Sequence, residues 1–240
     1  MIRAEGVVAG YGKQEILHGV DVEALPSGIT AIFGPNGSGK STLLKVLAGV
    51  VDVWRGRLFL GDEDITRRTG HLRTQLGIAT VPQGGRVFPY LTVEENLLMG
   101  AYLVRDRAEV RRRRDQVLAR FPELASRLRQ PAGTLSGGQQ MLVSLARALM
   151  HNPRVLLLDE PSAGLSPALV QHAFREVQAL AQTGVPIVLV EQNVRQALRI
   201  ADRVYILVQG EVRFCGTPGE LAGHPELIQL YLGIQNRRPA

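Results

Sequence analysis

Gly34-Pro35-Asn36-Gly37-Ser38-Gly39-Lys40-Ser41-Thr42 is the stretch from which the rest of the chain can be read. Two glycines with four residues between them are followed by Lys and Ser, the spacing of a phosphate-binding loop. An apolar run at 29–33 precedes it and an apolar-periodic run at 43–47 follows, which reads as strand, loop, helix. Glycine lets the backbone curl until successive N–H groups point inward, and the start of the helix adds partial positive charge. A polyphosphate is the expected occupant. Gly34, Asn36, Gly37, Ser38, Gly39 and Thr42 belong to the cradle, Lys40 reaches the β- and γ-phosphates, and Ser41 meets a Mg²⁺.

The chain of 240 residues is long enough to bury a full core, as one large domain or two small ones. Its longest apolar runs, such as 185–190, hold about six residues against the roughly 20 that span a bilayer. With no leader-like start either, a cytoplasmic location is expected. The lone Cys215 excludes an internal disulfide and a multi-cysteine metal site, and its strand context reads as a small core residue. A net charge of +6 is compatible with nucleic acid, anionic headgroups or neither. Of 28 basic side chains only Lys13, Lys40 and Lys45 are lysines, so the Lys of the loop is not one of many.

Ahead of the loop, apolar stretches at 3–8 and 15–24 broken by Gly10, Gly12 and Gly19 predict antiparallel strands, with Tyr11 at their turn. An aromatic face there can stack on a base, or simply pack. The run 77–81 predicts a strand ending at Pro82-Gln83-Gly84-Gly85, which leaves Gln83 free to swing. Its amide can ligate Mg²⁺ or donate to water. From Thr92 the pattern turns helical, opened by the capping box Thr92-Val93-Glu94-Glu95 and continued over 96–103. Arg111, Arg112, Arg113 and Arg114 lie beyond; interrupted by acids and without interleaved aromatics, they read as a solvated helix face rather than a nucleic-acid site.

Leu135-Ser136-Gly137-Gly138-Gln139-Gln140 then opens a helix at 141–150. Ser136 is a good N-cap, and the glycines expose N–H groups at a helix start, a second anion site. One chain seldom needs two such sites for one γ-phosphate, so this one is expected to serve a nucleotide held by another copy. The buried-strand pattern 155–158 delivers Asp159 and Glu160 at its C-terminal edge, where ligands bind in α/β sheets. Asp159 is the candidate Mg²⁺ ligand and Glu160 the general base for an attacking water.

These three stretches, in this order and spacing, resemble the phosphate loop, signature motif and Walker B strand of the ATP-binding cassette (ABC) ATPases. The resemblance covers about residues 1–233. It implies a P-loop NTPase core with an antiparallel β-subdomain and an inserted α-helical subdomain at about 86–150. The whole forms a single α/β domain over 1–236 with a tail at 237–240. It makes ATP and Mg²⁺ the cofactors and Tyr11 the adenine-stacking aromatic. Gln83 becomes the mobile glutamine that joins Mg²⁺ and water to the transmembrane partner, and Ser136, Gly137 and Gly138 the contacts offered to the other subunit's γ-phosphate.

Two positions depart from the family pattern. Ser166 stands where many members have Asp, so contacts across the subunit boundary there rest on a hydroxyl. Gln192 stands where most have a His that meets the γ-phosphate; Gln hydrogen-bonds but cannot titrate. Either catalysis is impaired or, as we favour, Glu160 is the base and Gln192 only orients phosphate. Leu189-Val190-Glu191-Gln192-Asn193, with Arg86-Val87-Phe88-Pro89 and the closing Tyr231-Leu232-Gly233, resembles the LivF-type subunits of branched-chain amino-acid importers. Urea and short-amide importers are similar. The implied partners are separate transmembrane permease subunits, a homologous ATPase subunit in a homo- or heterodimer and, indirectly, a solute-binding protein, at the cytoplasmic face of the membrane. The rival class is a soluble ABC ATPase acting on nucleic acid or ribosomes, but the chain has neither tandem cassettes nor long coiled-coil insertions and no nucleic-acid partner is expected.

Overall fold

The computed structural model describes residues 1–232; the tail expected at 237–240, and Gly233 of the closing motif, lie outside the described residues. Among the described residues, ten strands form two sheets: β1 (Ile2–Tyr11), β2 (Gln14–Glu23), β3 (Ile29–Phe33), β4 (Arg55–Leu60), β5 (Glu63–Asp64), β6 (Ile78–Val81), β7 (Val155–Asp159), β8 (Ile187–Val190), β9 (Arg203–Val208) and β10 (Glu211–Gly216). The smaller sheet, in the order β2-β1-β4-β5, is antiparallel. The larger has the order β10-β9-β3-β8-β7-β6 and is parallel except for the β9–β10 hairpin.

The parallel strands read as unbroken apolar runs because both faces are covered. Alternate residues point to opposite sides of a sheet, and here they feed two cores. Ala31, Phe33, Leu156, Leu158, Ile187 and Leu189 face one, while Ile32, Val155, Leu157, Val188 and Val190 face the other. The second core fills the space between the two sheets and takes in Leu43, Leu44, Val46 and Leu47 of the helix Lys40–Leu47. That helix is thereby clamped from both sides, which fixes the loop at its start.

The first core takes in the helical stretch. Val93 and Leu97 of the helix Val93–Gly100, and Val117 and Phe121 at the end of Arg107–Arg120, join the same apolar cluster as β7 and β8 through the buried face of Gly137–Met150. The helix expected over 96–103 ends at Gly100, where a Cβ would collide with Arg147 O of the crossing helix. Cys215 is a second correction: it is exposed. It shares the outer face of the edge strand β10 with Arg213, while Phe214 turns inward.

Candidate functional site

Parallel pairing brings four distant pieces of chain to one edge of the large sheet. The C-terminal end of β3 leads into Gly34, β6 into Gln83, β7 ends at Asp159 and leads into Glu160, and β8 leads into Glu191 and Gln192. Together with Asn36, Gly37, Ser38, Gly39, Ser41 and Thr42, the side chains of Lys40, Gln83, Glu160 and Gln192 line a cavity of about 370 Å³. The sequence did not single out Ile16, which closes this cavity from β2. Tyr11 lies outside the lining, half-exposed, with Lys45 Nζ 5.8 Å from its ring centroid.

The loop is bent as its composition dictates. Gly37 (φ 78°) and Gly39 (φ 101°) adopt conformations that side chains resist. Lys40 Nζ donates to Gly34 O and Pro35 O, both at 2.9 Å. Burial pulls the Lys40 ammonium below its ordinary value, and the charges of Glu160 and Asp159 push it back up. Ser38 Oγ is buried with no hydrogen-bond partner among the described residues. A buried hydroxyl without a partner is costly, and a phosphate oxygen would supply the missing partner.

Ser41 Oγ donates to Asp159 Oδ1 at 3.2 Å, so the two oxygen ligands proposed for Mg²⁺ are adjacent. Burial first, and then the neighbouring Glu160 charge, raise the Asp159 carboxyl; the Ser41 hydrogen bond and the lysines Lys45 and Lys40 oppose them. No cluster of three or more His, Cys, Asp or Glu that could hold a metal occurs among the described residues. A cation here would complete its shell from phosphate and water, the habit of Mg²⁺.

Glu160 is buried and has φ 45°, a left-handed conformation that costs a non-glycine residue about 1 kcal/mol or more. Its N–H donates to Val190 O at 2.9 Å and its carbonyl accepts from Ala163 N at 3.0 Å, and these bonds hold the turn. Both carboxylate oxygens are engaged: Gln83 Nε2 donates to Oε2 at 2.7 Å and Gln192 Nε2 to Oε1 at 2.8 Å. Gln83, expected to be free to swing, is hydrogen-bonded to Glu160, and Gln192, expected to orient phosphate, meets Glu160 as well.

Three further residues escaped the sequence reading. Glu191, almost fully buried, accepts from Ser162 N through Oε1 at 2.9 Å, and from Gln192 N and Asn193 N through Oε2 at 3.0 and 3.1 Å. It fastens the loop after Glu160 to the loop that carries Gln192; the signal was an acid ending an apolar strand. Arg73, also buried, donates to Val46 O, Leu47 O, Thr66 O and Arg68 O. It therefore satisfies last-turn carbonyls of the loop helix. Asn96 is fully buried and secures the segment after Gln83, accepting from Phe88 N at 2.8 Å and donating to Phe88 O and Thr92 O.

Ser136, Gly137 and Gly138 do not line the cavity of their own chain. Ser136 caps the helix Gly137–Met150 in a reciprocal box with Gln139. Ser166 is exposed and its hydroxyl makes no cap bond. The arginine run is largely spoken for: Arg112 and Arg113 grip Glu109, Arg113 also donates to Met150 O and His151 O, and Arg114 bridges Glu94 and Asp115.

A family model described as ABC transporter matches residues 17–163. The chain is 46% identical over 235 residues to the "Probable branched-chain amino acid transport ATP-binding protein LivF" of Archaeoglobus fulgidus, covering 98% of this chain and 99% of that one. It is 42% identical over 233 residues to the "High-affinity branched-chain amino acid transport ATP-binding protein BraG" of Pseudomonas aeruginosa, covering 97% and 100%. Among solved structures, it matches the ADP conformation of an ATP-binding cassette of an ABC transporter with a TM-score of 0.86 at 29% identity, covering 98% and 99%. A dimeric cassette in a post-hydrolysis state, bound to ADP and Pi, matches with a TM-score of 0.77 at 26% identity, covering 91% and 99%.

Proposed function

The chain belongs to the ABC transporter family, and from that premise we propose that it is the ATP-hydrolysing subunit of an importer for branched-chain amino acids. As a member of the family it binds and hydrolyses ATP. The observation that carries the site assignment is Glu160, a buried carboxylate held by two amides at the rim of a phosphate loop. The full-length similarity to LivF and BraG supports the solute class.

In this reading Lys40 exchanges its two carbonyl partners for β/γ-phosphate oxygens, and the loop N–H groups and Ser38 take up the rest. Ser41 and Asp159 would hold Mg²⁺, joined by Gln83 on leaving Glu160, and the ion would neutralise phosphate charge. Glu160 accepts a proton from the attacking water once an amide releases one of its oxygens. Tyr11 stacks on the adenine. Ser136, Gly137 and Gly138 close on the phosphate of a second copy or of a homologous cassette; the dimeric relative bound to ADP and Pi supports such a partner.

No helix among the described residues is long and apolar enough to cross a membrane, so separate permease subunits would carry the solute. Phe88, Met99 and Tyr102 line a cleft of about 430 Å³ beside the segment that begins at Gln83, and Tyr90 is 95% exposed. These features support a permease contact at the cytoplasmic face. The ion pairs within the arginine run count against a nucleic-acid role. The test is reconstitution in vesicles with the membrane subunits that co-purify with the chain and their solute-binding protein. ATP-driven uptake of leucine, isoleucine or valine, abolished by Glu160→Gln, is expected. Uptake of urea or a short amide in place of these amino acids would overturn the solute assignment.

A further inference from the structure

A cavity of about 500 Å³ that shares no residue with the nucleotide cavity lies between the helix Arg107–Arg120, the end of Gly137–Met150 and the stretch 180–185. It opens where the chain turns sharply after that second helix, at Asn152 (φ 54°) and Pro153. Its lining combines the apolar Val117, Leu149 and Leu180 with Arg112, Arg113 and Arg120. No Asp or Glu lines it.

The charges around this cavity do not balance. Glu109 takes both Arg112 and Arg113 at 2.7 Å, and the two hydrogen bonds hold its carboxyl down at about 2, so one acid faces two cations at neutral pH. Arg120 has no ion pair among the described residues, and its Cζ lies 5.9 Å from the centroid of the Phe121 ring. Its Nε is out of reach of solvent, so an anion would meet the terminal nitrogens of the guanidinium, while an aliphatic arm would cover Val117, Leu149 and Leu180. A zwitterion fits less well, because the lining holds no carboxylate for its ammonium group. Cavities of this size hold small organic ligands.

We infer that this cavity is a binding site for a small organic anion with an aliphatic arm, such as a medium-chain carboxylate. Its walls come from the helical stretch and from the segment leading into β8, so an occupant bridges the two.

The test is calorimetric titration of the full-length chain, without nucleotide, using three probes: octanoate, octanamide and inorganic phosphate. Octanoate is expected to bind at one site, at least about tenfold more tightly than either the uncharged amide or the armless phosphate. Arg120→Gln should weaken octanoate by about tenfold or more, and Arg120→Lys should recover part of the loss. Both variants should keep the wild-type melting temperature and rate of ATP hydrolysis. The inference fails if octanoate does not bind at about 10 mM, if octanamide or phosphate binds as well as octanoate, or if Arg120→Gln binds octanoate like wild type.

Discussion

Gln192 donates its side-chain amide to Glu160 Oε1 at 2.8 Å, so the position that departs from the family pattern bears on the carboxylate proposed as the base. Gln83 holds the other oxygen at 2.7 Å, and the base is aimed by two groups that cannot change charge. Loss of Gln192 in Gln192→Ala leaves one of the two and should lower kcat about tenfold, ~1.4 kcal/mol of barrier. Glu160→Gln should lower it by about a thousandfold while MgATP binding persists. Steady-state hydrolysis assays rank the two; an Ala variant as slow as Glu160→Gln would make Gln192 essential to the chemistry.

Gln192→His offers a second reading of the same contact. An imidazole there would titrate, and the Glu160 carboxylate beside it would hold its proton more tightly than a free ring's. Its kcat should therefore vary with pH relative to wild type, which has no titrating side chain at this position. Parallel pH–rate profiles for the two proteins would exclude a direct contact with the base.

Glu191→Gln tests the staple behind the site. Oε1 serves one backbone N–H and Oε2 serves two, so whichever oxygen becomes NH₂ faces at least one donor. The expected cost is about 1–3 kcal/mol of stability. Because either the Ser162 contact or the Gln192 and Asn193 contacts are released, a drop in kcat should accompany it, with MgATP affinity within about twofold of wild type. Urea titration and nucleotide binding measured on the same preparation separate the two effects.

The parts of this site that were legible in the sequence are those with a local cause. The phosphate loop announces itself because Gly37 and Gly39 need backbone that other residues avoid, and β7 because a strand buried on both faces must be apolar throughout. The capping box at Thr92 and the N-cap at Ser136 are equally local. The contacts that were not foreseen depend on strand order. Gln83 and Glu160 are 77 residues apart and Gln192 and Glu160 are 32 apart, and they meet because β6, β7 and β8 lie side by side. No pattern around Gln83 encodes that neighbour, so a glutamine before two glycines reads as free. Cys215 was missed for a smaller reason, a strand phase that Arg213 already marked as outward.

Arg73 is the buried cation on which the loop helix leans. Its fork reaches four carbonyls and no carboxylate, and burial lowers its pKa from the ordinary value. Arg73→Met keeps the apolar stem but strands those carbonyls, at a cost of at least about 2 kcal/mol. Arg73→Lys should recover less than half of that, since one ammonium cannot span the fork. Chemical denaturation would register both; equal stability of the Met variant and wild type would mean that water reaches the carbonyls.

Asp159 sets function against stability. Burial, followed by the Glu160 charge, raises its carboxyl above the ordinary value, so the folded protein binds this proton more tightly than the unfolded chain does. The stability contributed by the site is therefore complete below the ordinary carboxylate range and is lost as pH rises through the raised folded value. Asp159→Asn removes that slope and the buried charge, and its amide oxygen can still accept from Ser41. Without nucleotide the variant should melt above wild type at neutral pH. The two proteins should converge as pH falls below the ordinary carboxylate range, where Asp159 is protonated. With MgATP the order should reverse, because the Asn variant has lost the anionic oxygen that makes Mg²⁺ bind. Melting curves across pH, with and without MgATP, measure both differences. A variant that is less stable than wild type without nucleotide at neutral pH would show that the Asp159 charge is stabilised by the loop rather than strained by it.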